Sequence, residues 1–392
     1  MTDGTQQQLS ERETDADTAN VTMIGSLPPW KAITPYCREV FEGLQAEGES
    51  VQFINWRNLY PKRFYPGGDP RDDSEFPEHS SVLNVLTWWN PLSWLYAGYR
   101  IEGDIVHAQW WSFPLIPVYL TILLIAKLRG KTVVLTVHDV TPHERSLPNI
   151  VLNQLIYPVA DQFVVHSEEN KRTLCSKYGV ERSQVTVISH PVIQSVPKKD
   201  VTMYTAKTEL GIEQHRDVIL CFGGIRDYKG IDSFLYDLAD IVEENDDALL
   251  VVAGALWDDW DKYERVIHDE GLEDHVRADI GYIPDEKVEY YFTAADVVVF
   301  PYKNFEAQSG VASLCNYFGA YSIGFDRGGL KQQLVETVAG HEQLVDRILD
   351  LLDSESREVP SAADNDECIY DHVALYSRLL NGESEVFRGR SA

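Results

Sequence analysis

The stretch DVILCFGGIRDYKGIDSFLYDLADIVEE, residues 217–244, decides how the chain is read. It opens with an apolar run, DVILCF, that reads as a strand. Gly223 and Gly224 end the run, and glycine lets a backbone turn sharply and approach a ligand closely. Beyond Gly230 the period changes, with Phe234, Leu235, Leu238 and Ile241 recurring on one helical face. Strand, glycine turn and helix form the unit of a parallel sheet covered by helices. Arg226 and Lys229 stand in the turn, beyond the carboxyl end of the strand, where open sheets bind ligands.

The same grammar extends in both directions. Upstream, VTMIG, VQFIN, DIVHA, TVVLTVH, QFVVHS and VTVIS read as strands separated by segments able to hold helices. Downstream come ALLVVAG, VRADIGY, DVVVFPY and YSIGF. The polar linker HPVIQSVPKKDV divides the two series. The predicted fold class is therefore α/β, two tandem doubly wound, Rossmann-like domains facing a central cleft. The expected division is a disordered polar leader over 1–20, a first domain over 21–195, a second over 196–365, and a last helix and tail over 366–392 free to return across the first domain. The Tyr/Pro/Gly-rich loop WRNLYPKRFYPGGDPRDD is longer than compact domains usually carry without a function.

Charge narrows the function. There are 62 acidic against 34 basic side chains, a net charge of −28 that would repel a phosphate backbone and argues against nucleic-acid partners. The carboxylates are dispersed, as expected of a protein working in a salt-rich cytoplasm where screening shortens self-repulsion. The leader has neither a basic start nor an apolar core and does not read as a signal peptide. Cys37, Cys175, Cys221, Cys315 and Cys368 are scattered, which disfavours a disulfide framework or zinc site. The most apolar run, residues 113–130, is too short to span a bilayer. It reads as a helix buried against a sheet, with a membrane-surface contact as the other reading.

Neither domain carries GxGxxG after its first strand, and no GxxxxGK[ST] follows a strand, so dinucleotide oxidoreductases and P-loop nucleotidases are disfavoured. Arg226 offers a planar fork to phosphate oxygens and Lys229 a point charge. Gln109, Trp110 and Trp111, at a strand end, suit either core packing or a wall on which a sugar stacks. His107, His166 and His190 fall near strand ends as structural or pocket-lining groups, and Glu168 and Glu169 after Ser167 suit a helix cap. His138 and His143 are five apart, which suits neither one helix face nor an HExxH motif, and no metal is expected. In YKNFEAQSGVASLCNYFG, residues 302–319, Glu306 precedes a helix opening at Ser309 and Gly310, where an anion would be held.

These segments, in order, resemble the retaining GT4 (group 1) glycosyltransferases of the GT-B fold. CFGGIRDYKG resembles their donor-phosphate loop, and ADVVVFPY, Glu306, QSGV and YSIGFDRGGL their acidic nucleotide-sugar motif with the strand and glycine loop after it. IGSLPPWKAITPY, HAQWW, VVLTVHDVTPHE, ADQFVVHSEENKRTL and VTVISHP resemble first-domain segments. The resemblance implies that Arg226, Lys229 and the backbone N–H groups of Ser309, Gly310 and Val311 hold the donor diphosphate. Gly224, Lys31 and Ala32 would line the donor loops, Glu306 would accept hydroxyls of the transferred sugar, and His138 would meet that sugar from the first domain. A nucleotide diphosphate sugar would be the substrate, with no cofactor, and a saccharide or lipid-linked molecule the acceptor. Two positions depart from the family pattern. Leu314 stands where relatives place a second glutamate, and Lys31–Ile33 where they place Gly-Gly. The departures keep open a non-catalytic scaffold that binds a nucleotide sugar or a partner, and a GT-B epimerase is a third reading. The expected location is the cytoplasm, with peripheral contact at the inner membrane surface as the alternative.

Overall fold

The computed structural model describes residues 20–31, 33–59, 71, 79–140, 155–305, 308–354 and 366–382. The leader, most of the Tyr/Pro loop, Ala32, His143 and Glu306 lie outside the described residues.

The first half contains β1 (Asn20–Ile24), α1 (Thr34–Ala46), β2 (Ser50–Asn58), β3 (Val82–Thr87), α2 (Pro91–Tyr99), β4 (Ile105–Trp110), α3 (Ile116–Leu128), β5 (Thr132–Val137), β6 (Gln162–Val165), α4 (Glu168–Tyr178) and β7 (Val185–Val187). Its seven strands form one parallel sheet in the order β3-β2-β1-β4-β5-β6-β7. The second half holds α5 (Met203–Leu210), β8 (Asp217–Phe222), α6 (Ile231–Glu244), β9 (Ala248–Gly254), α7 (Asp261–Asp269), β10 (Val276–Ile280), α8 (Asp285–Ala294), β11 (Val297–Phe300), α9 (Gly310–Phe318), β12 (Ser322–Phe325), α10 (Leu330–Gln333), β13 (Glu336–Val338) and α11 (His341–Asp353). Its sheet is also parallel, in the order β10-β9-β8-β11-β12-β13. The fold is thus two Rossmann-like α/β domains, as the alternating pattern predicts. Each sheet reverses its winding once, between β1 and β4 and between β8 and β11, and a crevice opens there at the strand ends.

Both faces of each sheet are covered, so the central strands are almost wholly buried rather than alternating between buried and exposed positions. The apolar run at 113–130 holds α3, which buries Ile116, Val118, Tyr119, Ile122, Leu123 and Ala126. Ser167 caps α4, its Oγ accepting from the Asn170 N–H at 3.1 Å, with Glu168 and Glu169 in the first turn as the cap reading predicts. The last helix, α12 (Asp366–Asn381), packs on α1 in the first domain. The fit is close: a Cβ added to Gly43 would lie 2.5 Å from Ile369 Cδ1. Tyr376 of α12 reaches the sheet centre, where its hydroxyl lies 2.6 Å from His107 Nδ1, and His107 Nε2 lies 2.6 Å from Thr136 Oγ1. His107 is fully buried and burial pushes its pKa well below the usual value, so it is a neutral structural group.

The connector between the domains is gripped from both sides. Glu39 Oε1 on α1 accepts the Gln194 and Ser195 N–H groups at 2.7 and 2.6 Å. Glu289 on α8 accepts those of Lys199 and Val201 at 2.6 and 3.2 Å. Ser313 on α9 accepts the Ile193 N–H at 2.9 Å and donates to the Pro191 carbonyl at 2.8 Å. Both bonds to Glu39 use one oxygen, which an amide would retain. Glu39→Ala is therefore expected to lower unfolding free energy by about 2 kcal/mol through the loss of two backbone hydrogen bonds to a carboxylate, and Glu39→Gln by much less. Chemical denaturation of the two variants checks this; equal losses would mean that charge, and not the acceptor, holds the connector.

Candidate active site in the interdomain cleft

At the end of β8 the chain turns at Gly223, φ +88°. A Cβ there would lie 3.0 Å from Lys229 Nζ and 3.0 Å from Val311 Cγ2, so only glycine lets the turn, the lysine and the start of α9 meet. Lys229 is 7% exposed and its Nζ donates to the Phe222 carbonyl at 2.8 Å. Burial, then the neighbouring Arg226 charge, pushes its pKa down to about 7. The Arg226 guanidinium lies over the Trp257 ring, its Cζ 4.0 Å from the ring centre. Gly224 packs on the same indole: a Cβ on it would lie 3.2 Å from Trp257. The outer lysines of this turn are matched by acids, Lys262 to Asp227 at 2.9 Å and Lys303 to Asp232 at 2.7 Å. Arg226 and Lys229 have no carboxylate partner among the described residues, although acids outnumber bases in the chain. Two cations facing each other without a counter-charge form a site for an anion.

Helix α9 supplies the facing wall. Ser309 is its N-cap residue, and the first N–H groups of a helix, here Gly310 and Val311, have no intrahelical acceptor. The Ser309 N–H is already engaged: it donates to Gln333 Oε1 at 2.6 Å, while Gln333 Nε2 donates back to the Ser309 carbonyl at 3.2 Å. Of the three N–H groups expected to hold phosphate, Gly310 and Val311 are thus the ones left for a ligand. Leu314 points away from the site into the apolar core with Ala312 and Cys315, 8% exposed. Phe305, just before Glu306, stacks on Tyr228 with ring centres 5.9 Å apart.

The first domain brings three groups to the cleft. Lys31 reaches across it, with Nζ 3.9 Å from the centre of the Tyr282 ring. His138 follows β5 and is half-buried. Its ring meets Tyr36 edge-on at 4.6 Å, and His166 and His190 lie around the same tyrosine at 5.1 and 5.2 Å. Proton positions follow from the partners. His166 Nδ1 is 3.0 Å from the Ile188 carbonyl and so donates to it. His166 Nε2 must then accept from His138 Nδ1, 3.4 Å away. His138 Nε2 is left as an acceptor, 3.0 Å from the Gln109 amide. Turning that amide so its nitrogen faces the imidazole completes the chain and gives a partner to a nitrogen otherwise buried without one. Burial and the adjacent histidines push the His138 pKa well down, so it is a neutral hydrogen-bonding group, not a cation. The ring nitrogens serve carbonyls, an amide and each other, and among the described residues no three ligating side chains gather around a metal position.

The sugar-wall reading of Gln109, Trp110 and Trp111 needs correcting. Gln109 is fully buried beneath His138, and Trp110, 3% exposed, packs edge-on against Tyr119 in the core. Trp111 alone of the three keeps partial exposure. Alternation explains this, because strand β4 is covered on both faces up to Trp110 and frees its chain only after the sheet ends. Sequence reading missed Trp257, Tyr282, Tyr36 and Gln333. Trp257 and Tyr282 follow the carboxyl ends of β9 and β10, so the strand-end rule could have found them; nothing local marks Gln333 or Tyr36.

A cavity of about 500 Å³ lies between the domains, bordered by Ser167, Glu169 and Arg172 on one side and Phe305, Arg327 and Lys331 on the other. Its lining includes Phe305, which stacks on Tyr228 of the β8 turn, and its volume is of the size ligand pockets have.

Two family models match the chain in succession. Residues 33–194 match Glycosyltransferase Family 4, and residues 204–365 match Glycosyl transferases group 1. A D-inositol 3-phosphate glycosyltransferase of Corynebacterium aurimucosum is 24% identical over 307 residues, covering 71% of this chain and 69% of the relative. Among solved structures, an Anabaena protein in complex with UDP and glucose superposes with a TM-score of 0.64 at 14% identity, over 93% of this chain and 98% of that one. A UDP-GlcNAc 2-epimerase from Methanocaldococcus jannaschii superposes with a TM-score of 0.56 at 12% identity, over 91% and 99%. The last two share the fold. With both halves matched, the chain belongs to the group 1 glycosyltransferases of the GT-B fold.

Proposed function

We propose that the chain transfers a glycosyl group from a nucleoside diphosphate sugar to a saccharide or lipid-linked acceptor, with retention at the anomeric carbon and without a metal ion. The observation that carries this reading is Lys229, buried beside Arg226 with no carboxylate partner among the described residues. As the bond from the anomeric carbon to the diphosphate oxygen breaks, negative charge grows on the leaving group. Lys229, Arg226 and the Gly310 and Val311 N–H groups are placed to take that charge, the work a metal ion does elsewhere. The acceptor oxygen forms the new bond on the same face of the sugar, and its proton leaves with the diphosphate. Glu306 would hold the sugar hydroxyls, and neutral His138 would bound the sugar from the first domain. Lys31, held on Tyr282, would close one side of the donor loop. The cytoplasm is the location that fits such a donor.

The second reading is a scaffold that binds the nucleotide sugar without turnover. It draws on the Ser309 N–H already taken by Gln333 and on the missing second glutamate. The purified protein, incubated in concentrated potassium chloride with a panel of nucleotide sugars and a chelator, is expected to release nucleoside diphosphate and yield a product of unchanged anomeric configuration by NMR. Binding without release would favour the scaffold, and activity abolished by the chelator would overturn metal independence. Lys229→Met is expected to cut turnover by about 100-fold or more; wild-type rates in that variant would remove the diphosphate assignment.

Lys229 also predicts a pH dependence. With its pKa near 7 in the free protein, it is largely neutral above that pH and must gain a proton to pair with the diphosphate. Affinity for the nucleoside diphosphate should therefore be full below pH 7 and fall by up to about tenfold per unit above it. Calorimetry at pH 8 in buffers of different ionisation enthalpy should register proton uptake, and Lys229→Met should register none. Leu314→Glu is expected to lose roughly 3 kcal/mol of stability by placing a carboxylate in the core, and to gain no activity. A thermal melt and the release assay read both.

A further inference from the structure

Helix α2 turns the usual amphipathic arrangement outward. Leu92, Leu95, Tyr96 and Tyr99 fall on one helical face, and each is at least 46% exposed. The small residues face inward instead: Ala97 and Gly98 are buried, and a Cβ on Gly98 would lie 2.8 Å from Ile125 Cδ1 of α3. Helix α3 adds Leu124 and Leu128, 46% and 88% exposed, one turn apart on its outer side. Trp89, just ahead of α2, is 64% exposed. Two touching helices thus present an apolar face of a size that single scattered residues do not make.

The charge around this face is opposite to that of the molecule. The charged side chains of residues 79–138 are Arg100, Lys127, Arg129 and Lys131 against Glu102 and Asp104, and Asp161, which pairs with Lys127, brings the net at this face to +1 in a chain of −28. All four cations stand at the carboxyl-terminal ends of α2 and α3. Lys127 and Lys131 are paired, to Asp161 at 2.6 Å and to Asp104 at 2.8 Å. Arg129 donates to the Gly98 and Tyr99 carbonyls, both at 2.9 Å, and has no carboxylate partner among the described residues. Arg100 has its nearest carboxylate, Glu102, at 4.0 Å.

We propose that the α2–α3 face docks on an anionic lipid surface. An apolar stripe, amphipathic Trp and Tyr side chains and a basic edge are what a helix lying in a bilayer interface carries. The rest of the molecule is repelled by anionic headgroups, so the field orients this face toward them. A second copy is the poorer occupant, because the same face would bring its own Arg100 and Arg129, whereas anionic headgroups supply the opposite charge. No helix among the described residues is long and apolar enough to cross a membrane, so the contact is peripheral. The docking itself does not rest on the transferase reading. Its consequence does: both helices run antiparallel to the strands, so their amino-terminal ends lie on the cleft side, where a lipid-linked acceptor could enter from the bilayer.

The test is vesicle flotation of the full chain, with phosphatidylcholine vesicles made with and without phosphatidylglycerol. The wild type is expected to float with the anionic vesicles. The double variant Leu95→Glu/Leu128→Glu, altered only at exposed positions, should lose at least about tenfold of that binding. Tyr236→Glu, on an exposed apolar residue of the other domain, should keep it. Circular dichroism and a thermal melt matching the wild type establish that the double variant is folded. No flotation of the wild type, flotation independent of phosphatidylglycerol, or a double variant that floats like the wild type would overturn the proposal. So would a wild-type dimer that binds no vesicles and becomes a monomer in the double variant.

Discussion

The cleft exists because a short connector is held by carboxylates from both sides. Glu39 on α1 and Glu289 on α8 accept four backbone N–H groups of residues 194–201, and Ser313 clasps the segment just before them. Burial raises the Glu39 pKa and the backbone donors pull it back, the balance expected of a carboxylate used as an acceptor inside protein. A connector without such partners would leave two sheets free to drift. With them, the carboxyl ends of β1, β4 and β5 face those of β8 and β11, and Lys31 can rest on Tyr282 across the gap. Ser313 and Leu314 are neighbours on α9, so the helix that opens at the anion site also anchors the connector and the second core.

The anion site and the histidine cluster use opposite strategies. In the second domain a buried lysine has no carboxylate partner among the described residues, and the cost of holding it appears as a pKa near 7. Such a group is unsettled until an anion arrives, which favours binding an anion over leaving the site empty. In the first domain the polar groups are settled among themselves. The Ile188 carbonyl orients His166, His166 orients His138, and Gln109 takes the remaining nitrogen. The result is a rigid neutral wall around Tyr36, suited to uncharged polar groups and not to anions.

Much of this was legible in the primary structure. Parallel strands buried on both faces appear as apolar runs, so β4, β5, β8, β9 and β11 can be picked out by composition. The turn holding Gly223, Gly224, Arg226 and Lys229 could be placed because ligand sites follow strand ends. Leu314 was harder. Its position in the sequence suggested a changed ligand contact, whereas its side chain belongs to the core. Trp110 was similarly ambiguous, since an aromatic at a strand end can pack inward or face the cleft with the same local sequence.

The sequence by itself determined the alternation of strands and helices, the two-domain plan, the family and the placing of two cations in a strand-end turn. These depend on periodicity, glycine and order along the chain, which are local properties. Only the tertiary structure decided that Lys229 is sealed without a carboxylate among the described residues, that Gln333 occupies the Ser309 N–H, that α12 seats on α1 and drives Tyr376 to His107, and that α2 shows its apolar stripe to the outside. Each of these joins residues distant in the chain or selects one face of a helix. That selection is made by the sum of packing and solvation over the whole molecule, which no single segment encodes.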